Sequence, residues 1–414
     1  MPIIEPIIEQ HAGDAAFCWL LRESAVGAPH YEFKELAALD DRIEANLDGL
    51  RIAGDAGWDI CRAALAIGEP GEVFTAGLLA FETLIPERMD GLLATVEPDP
   101  ELQRALASAM GWIGFETIGA PAQRLISADL DFLKRIGLSA FALHRRDPGA
   151  LLPDLVEAPA PAVRARALKA AGELGRLDLL PVAMAHLQDQ DAKCRFYAAW
   201  SANLLGGDIA MDRLAAFAAE PGAFALRACD LAARRMPPAQ AIEWLRHLTG
   251  QTGSTRSAVG GLGALGDPAA VPWLLEMMHT PELARPAGDA LAMITGLDIA
   301  YENLEAEPPE GFTAGPTDDP ADEDVAPDPD EDLPWPDPEL IARWWSRNGT
   351  RLRPGTRHLC GKPISRDHCR EVLRTGHQWQ RAAAALELCL MAPGQPLFEI
   401  RAPGFRQARL LTGA

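Results

Sequence analysis

The most constraining feature of this chain is a segment of about 30 residues that recurs eight times. Eight aligned stretches of eleven residues end at intervals of 31, 31, 30, 31, 30, 30 and 30 residues. Their last residues are Thr83, Gly114, Arg145, Gly175, Gly206, Met236, Gly266 and Gly296. A period of this kind is the signature of one supersecondary unit stacked repeatedly. We therefore expect a repeat array and not a set of unrelated globular domains.

The residues within each repeat predict a helix, a turn and a second helix. One column holds a small residue in the last five repeats, namely Ala167, Ala198, Ala228, Ala258 and Gly288. Apolar residues recur at helical spacing around that column, as in Leu168, Ala171 and Leu174. Four of the last five repeats end in a glycine, namely Gly175, Gly206, Gly266 and Gly296, and glycine favours the left-handed conformation that closes a helix. Such units bury a continuous core only when stacked, so we predict an all-α fold, an α-solenoid of about eight helix-turn-helix repeats.

The sequence divides into four predicted regions. Residues 1–68 carry helical apolar spacing without the repeat pattern and are interpreted as an N-terminal helical cap. Residues 69–301 form the repeat array. Residues 302–336 are interpreted as an acidic, proline-rich flexible linker, and residues 337–414 as a small, mainly helical, basic module that contains tryptophans.

Charge separates the last two regions sharply. Residues 302–339 contain fifteen Asp or Glu and no Lys or Arg, whereas residues 343–414 contain thirteen Lys or Arg and four Asp or Glu. The acidic segment contains little apolar surface, and burying it cannot offset the entropy that is lost when the segment becomes ordered. A mobile linker is therefore predicted. We also expect its acids to lie over the basic tail.

The repeats resemble a known type. The stretch GLGALGDPAAVPWLLEMM, from Gly261 to Met278, resembles the short HEAT-like repeats of phycobilisome lyases. The whole order is similar to an uncharacterised bacterial family: LDDRIEANLDGLRIAGDAGW, then repeats, then PWPDPELIARWW and LFEIRAPGFRQ. That family is often encoded beside type VI secretion genes. The resemblance implies an accessory adaptor in effector loading or tip assembly, whose partner is a secretion effector, adaptor or tip protein.

Composition bears on partners and location. The formal net charge is -21, which argues against a nucleic-acid partner and suggests a partner with a basic or mixed surface. No apolar run reaches the roughly 20 residues that span a bilayer, so no membrane insertion is expected. Residues 1–10 lack the pattern of a secretion signal. Seven scattered cysteines indicate reduced thiols, and a cytoplasmic protein is therefore expected.

Tryptophans supply the candidate binding residues in a chain with few aromatics. Trp335, Trp344 and Trp345 lie close together with Arg343 and Arg347. Trp and Arg dominate interface hot spots, which suggests a partner-binding anchor. The alternative interpretation is that these tryptophans pack the core of the small C-terminal module.

Other motifs are interpreted as structural. Gly261, Gly263 and Gly266 spell a dinucleotide fingerprint but fall in helix columns without a preceding strand. His358, Cys360, His368, Cys369 and His377 are zinc-ligand types whose spacing matches no ordinary site. We therefore predict no metal, no cofactor and no catalytic residue. The prediction is a non-enzymatic protein-binding scaffold; the alternative is a bilin-lyase-like enzyme or a chromophore-binding protein.

Overall fold

A computed structural model describes residues 4–251, 253–315 and 326–412 of the chain. These residues form 22 α-helices, several short 3-10 turns and one small hairpin. The chain divides into two compact units. Unit 1 contains Met1–Leu205 and Ala392–Ala414, and unit 2 contains Gly206–Met391.

Unit 1 is made of thirteen described helices. They are α1 (Glu5–Ala25), α2 (Phe33–Ala53), α3 (Asp55–Ala64), α4 (Pro70–Thr83), α5 (Pro86–Val96), α6 (Pro100–Trp112), α7 (Phe115–Ile126), α8 (Asp131–Leu143), α9 (Leu151–Val156), α10 (Pro161–Glu173), α11 (Leu180–Ala185), α12 (Ala192–Leu204) and α22 (Gly404–Thr412).

Unit 2 holds the remaining described helices and the hairpin. They are α13 (Met211–Ala219), α14 (Ala225–Arg235), α15 (Pro238–Thr249), α16 (Thr255–Leu265), α17 (Val271–Met277), α18 (Pro281–Thr295), α19 (Pro338–Asn348), α20 (Arg366–Thr375) and α21 (Gln378–Met391), with strands β1 (His358–Leu359) and β2 (Lys362–Pro363) paired antiparallel.

The eight aligned stretches fall on the first helices of successive pairs. In unit 1 these are α4, α6, α8, α10 and α12, and each packs against the next. In unit 2, α14, α16 and α18 pack in the same sequential way. The prediction of an all-helical repeat fold is confirmed. Ala167, Ala198, Ala228 and Ala258 are fully buried, as helices that approach closely require.

The predicted helix ends are also confirmed. Gly175, Gly206, Gly266 and Gly296 have φ values of 69, 90, 75 and 71°. In earlier repeats, Leu84 and Arg145 take the left-handed conformation at φ 55 and 51°. A side chain with a Cβ adopts that region at some energetic cost, so these two ends are strained where glycine would not be.

The N-terminal helices pack as their apolar spacing predicts. Five side chains of α2 face its core: Leu36, Leu39, Ile43, Leu47 and Leu50. All five are at most 9% exposed. Helix α1 packs along α2 and contributes the buried Trp19, whose ring stacks on Phe74 of α4 at 5.0 Å.

The acidic segment differs from the predicted mobile linker at its described residues. Asp330 is buried and forms two hydrogen bonds with Arg256, while Asp328 accepts one from Arg285 at 2.6 Å. These arginines belong to α16 and α18 and not to the basic tail. The pairing adds electrostatic stabilisation that apolar content alone does not reveal. The acids from 318 to 324 lie outside the described residues.

The C-terminal region also departs from the single predicted module. Residues 337–391 belong to unit 2, whereas the last described stretch, 392–412, packs in unit 1. There the backbone N–H of Leu397 donates to the carbonyl of Glu173 at 2.9 Å. A Cβ on Gly175 would lie 2.5 Å from the carbonyl oxygen of Gly394, so the two segments are in close contact.

Candidate functional site

A groove of about 620 Å³ in unit 1 is the best candidate for a binding site. Its walls are the helices α1, α6, α8, α10 and α12, together with chain-end residues 399–406. Four of these helices are the first helices of consecutive repeats. The groove therefore follows the repeat direction and does not sit inside one helix pair. We call it the basic groove because most of the charged side chains that line it are basic.

The groove is positively charged in a chain of strong negative charge. Eight basic side chains line it: Arg22, Arg104, Arg135, Arg166, Lys169, Lys193, Arg401 and Arg406. Three acidic side chains line it as well: Glu23, Glu173 and Glu399. Five positive charges are thus in excess, whereas the whole chain carries a formal charge of -21. The local field can attract anions although the average field repels them.

Three of the arginines recur with the period of the repeat. Arg104, Arg135 and Arg166 are separated by 31 residues each and lie on α6, α8 and α10. The next position in the same period is Tyr197 of α12, which also lines the groove. The repeat therefore places one cationic side chain on each of α6, α8 and α10 along the wall. We call these three residues the arginine ladder.

Two of the acids each bind two of the bases. Glu23 accepts hydrogen bonds from Arg104 at 2.5 Å and from Arg401 at 2.7 Å. Glu173 lies 2.9 Å from Arg166 and 3.4 Å from Lys169. Burial acts to raise the pKa of Glu173, but Arg166, Lys169 and Arg145 outweigh it and lower the pKa to about 2. Glu173 is therefore ionised at neutral pH, and each of the two acids lies between two cations.

Three other bases of the groove form no close ion pair with a described residue. Arg135 and Lys193 form no ion pair within the described ranges of the chain, and Lys193 is exposed. Arg406 donates to the backbone carbonyl of Gly111 at 2.6 Å, and its buried Nη1 has no hydrogen-bond partner among the described residues. Burial lowers the pKa of Arg406 to about 10, so the guanidinium remains charged. These three side chains supply positive charge that an incoming anion can neutralise.

The wall formed by the chain end is anchored by a buried ion pair. Arg22 donates through Nε to Asp40 at 2.5 Å and through Nη2 to the carbonyls of Arg401 and Ala402 at 2.9 and 3.0 Å. Asp40 accepts in turn from the backbone N–H of Gly404 at 2.5 Å. Both side chains of the pair are 2% exposed. Residues almost 400 positions apart in sequence are thus joined behind the groove.

Three polar side chains of the groove hold contacts within the protein. Ser108 Oγ accepts from Trp19 at 3.2 Å, and Ser139 Oγ accepts from Arg166 at 3.0 Å. Glu399 pairs with Arg145 at 3.0 Å. Ser108, Ser139 and Glu399 are thus each held in a contact with a neighbouring side chain. The excess of cationic side chains in the groove suits the recognition of an anion.

The tryptophans named from sequence lie in unit 2. Trp335 packs edge-on against Phe312 at 5.0 Å and under Arg285 at 5.4 Å, so it contributes to packing. Helix α19 carries the other four: Trp344 and Trp345 are half-buried, and Arg343 and Arg347 are exposed. Trp345 lines a shallow notch of about 550 Å³ together with prolines 268 and 354. Their part in partner binding stays a prediction.

The histidines and cysteines of the tail have structural partners. His358 bonds through Nδ1 to the carbonyl of Thr356 at 2.8 Å, and His368 through Nε2 to that of Leu359 at 2.7 Å. Burial raises the pKa of Cys360 to about 12 and that of Cys369 to about 11, which disfavours the thiolate. Across the described residues, no three His, Cys, Asp or Glu side chains are grouped to hold a metal ion. Gly261 and Gly263 lie inside α16, as their structural interpretation predicts.

Sequence reasoning missed the basic groove, although one signal for it was present. The 31-residue spacing of Arg104, Arg135 and Arg166 is visible in the sequence. Arg22, Arg401 and Arg406 carry no such pattern, and only folding brings them to the same wall.

A comparison of the chain with known protein families and with curated proteins found no match. Within the described residues, no helix combines the length and the apolar character that crossing a membrane requires.

Proposed function

We propose that the protein is a non-enzymatic cytoplasmic scaffold that binds a partner protein in the basic groove. The observation that carries this proposal is the excess of five positive charges in one groove of a chain whose formal charge is -21. Basic side chains normally lie apart from one another on a protein surface. Bringing several of them together without matching acids costs free energy, which a bound anion offsets.

The dimensions of the groove favour a polypeptide ligand. Packed helices lie about 8–10 Å apart, so the steps from α6 through α8 and α10 to α12 cover roughly 24–30 Å. A chain segment spans that length, and repeat proteins use such extended surfaces for partner binding. The further hypothesis that the partner is a type VI secretion effector, adaptor or tip protein rests on the sequence resemblance alone.

Site-directed photo-cross-linking in the native cell tests the proposal. A photoreactive amino acid at Ala162, an exposed residue of the groove, is expected to capture a specific protein. The same amino acid at Gln123, exposed on α7 outside the groove, is the control. Capture should be lost when Arg135 and Lys193 are both changed to Glu. Identical products from both positions, or capture that survives the charge reversal, would contradict the proposal.

A chromophore is the second candidate ligand. Trp112 and Tyr197 line the groove beside its arginines, a combination that suits a flat molecule with two carboxylates, such as a bilin. Mixing the pure protein with a bilin and recording visible spectra tests this candidate. A shifted absorption band that the Arg135→Glu change abolishes would favour the chromophore over the partner protein.

A further inference from the structure

We propose that the basic groove binds an extended acidic segment whose carboxylates recur at every third residue. This inference rests on the proposed scaffold function and names the chemistry of the ligand. The spacing of the arginine ladder, the pairing of its charges and the charge of the rest of the chain support it.

The spacing of the ladder matches one extended conformation. The cationic side chains lie on successive packed helices, about 8–10 Å apart. A polyproline II helix rises about 3.1 Å per residue with three residues per turn, so side chains on one face recur every 9 Å or so. A β-strand presents side chains on one face at about 6.6–6.8 Å, which drifts out of step with the helices. The polyproline II conformation keeps one carboxylate opposite each helix.

Each helix along the groove offers at least one base to such a segment. Arg104 projects from α6, Arg135 from α8, Arg166 and Lys169 from α10, and Lys193 from α12. Four carboxylates at three-residue spacing would cover these helices within ten residues. Arginine can bind a carboxylate through two parallel hydrogen bonds, which adds geometric selectivity to the charge attraction.

The existing pairs leave cations available to the ligand. Glu23 and Glu173 each hold two bases, so one base of each pair can turn to a ligand while the acid keeps the other. Arg135 has no ion pair to give up within the described residues. When Arg135 binds a carboxylate of the ligand, no acid of the protein loses its partner. The binding therefore avoids the large cost of leaving a buried charge unpaired.

The overall charge favours a short acidic peptide over a nucleic acid. The excess of five positive charges is confined to one groove, and the formal charge of the whole chain is -21. A nucleic acid carries a phosphate at every nucleotide, so its negative charge would extend beyond the groove. There the negatively charged remainder of the protein would repel it. A segment with a few spaced carboxylates places its charge only where the bases lie.

Peptide binding to the full-length protein tests this inference. The probe is a fluorescent twelve-residue peptide of four Asp-Pro-Ala triplets, and the control peptide has the same composition with its four Asp adjacent. Anisotropy at low salt is expected to show the spaced peptide binding at least about tenfold more tightly than the clustered one. Arg135→Gln should weaken the spaced peptide about three- to tenfold, since one charge-assisted pair is lost. Lys134→Gln, on the same helix but outside the groove lining, should leave binding unchanged.

Three outcomes would overturn the inference. They are equal affinity for the two peptides, indifference to Arg135→Gln, and tighter binding of a single-stranded oligonucleotide than of the spaced peptide. If Ala162 still captures a groove-dependent protein in the cell, the scaffold function stands and only this ligand class is wrong. If neither peptide nor cellular protein depends on the groove charges, both proposals fail.

Discussion

At the scale of single residues, small side chains decide where the repeat helices touch. Ala198 of α12 is fully buried where α12 packs on α10. Nearby, a Cβ on Gly172 would lie 2.6 Å from Ser201 Oγ, so those two helices are already at their closest approach. A larger side chain at such a point has no space unless the helices separate.

We expect Ala198→Leu to destabilise the protein by about 1–3 kcal/mol, because three extra carbons overpack this contact. Ala192→Leu, at an exposed position of the same helix, is the matched control and should change little. Urea unfolding followed by circular dichroism measures both. Equal stability of the two variants would show that the column does not form the helix contact.

His144 provides a residue-scale prediction for pH. Burial and the charges of Arg406 and Arg146 outweigh Glu116 and the Met110 carbonyl, and they lower the pKa of His144 from 6.5 to about 4. The unfolded chain therefore binds more protons between these values, so stability must fall as pH drops through them. We expect a loss of about 1–2 kcal/mol between pH 7 and pH 5. His144→Gln should remove that part of the pH dependence; an unaltered dependence in the variant would assign it to other groups.

At the scale of elements, one buried carboxylate joins three segments of unit 2. Glu387 of α21 accepts from Arg234 of α14 at 2.8 Å and also pairs with Arg357, which precedes β1. Glu387 and Arg234 are each 3% exposed at the side chain. The basic C-terminal residues thus bind to the repeats of this unit through an ion-pair network.

Glu387→Gln is expected to destabilise unit 2 by about 3 kcal/mol, because it leaves two arginines short of their shared anion. Glu371→Gln, which breaks the exposed pair with Lys362, is the control and should have little effect. The midpoint of chemical unfolding distinguishes them. A Glu387→Gln variant as stable as its control would mean that the network adds nothing to the stability of unit 2.

At the scale of the molecule, the two ends of the chain complete unit 1 together. The last described residues satisfy Arg22 and Asp40 of the first two helices and form one wall of the basic groove. Residues 392–412 are therefore not a separable appendage, as the composition of the tail suggests, but part of the unit that begins the chain.

Removing residues 392–414 should loosen unit 1 selectively. Arg22 loses two carbonyl acceptors, Asp40 loses a backbone donor, and α10 loses the bond from Leu397. Hydrogen exchange by mass spectrometry is expected to show faster exchange in α1, α2 and α10. Helices α16 and α18 of unit 2 are the internal control and should keep their protection. Unchanged exchange in α1 and α2 would indicate that the chain end is dispensable for unit 1.

The sequence by itself determined the helical repeat, because its signals are local. The small column at Ala167 and Ala198, the apolar face of α2 and the glycines at positive φ all act within one or two turns of helix. Periods of 3.6 and about 30 residues record such local requirements directly. The arginine ladder belongs to the same class, since it repeats with the array.

Only the tertiary structure decided the charge of the groove and the place of the chain end. Composition averages the whole chain and predicts a basic or mixed partner from a charge of -21, whereas the groove is positive. Arg22, Asp40 and Gly404 meet although 364 positions separate the last two. Electrostatic interactions depend on distance in space, which the order of residues does not record, and so pairs of this kind emerge only when the chain is folded.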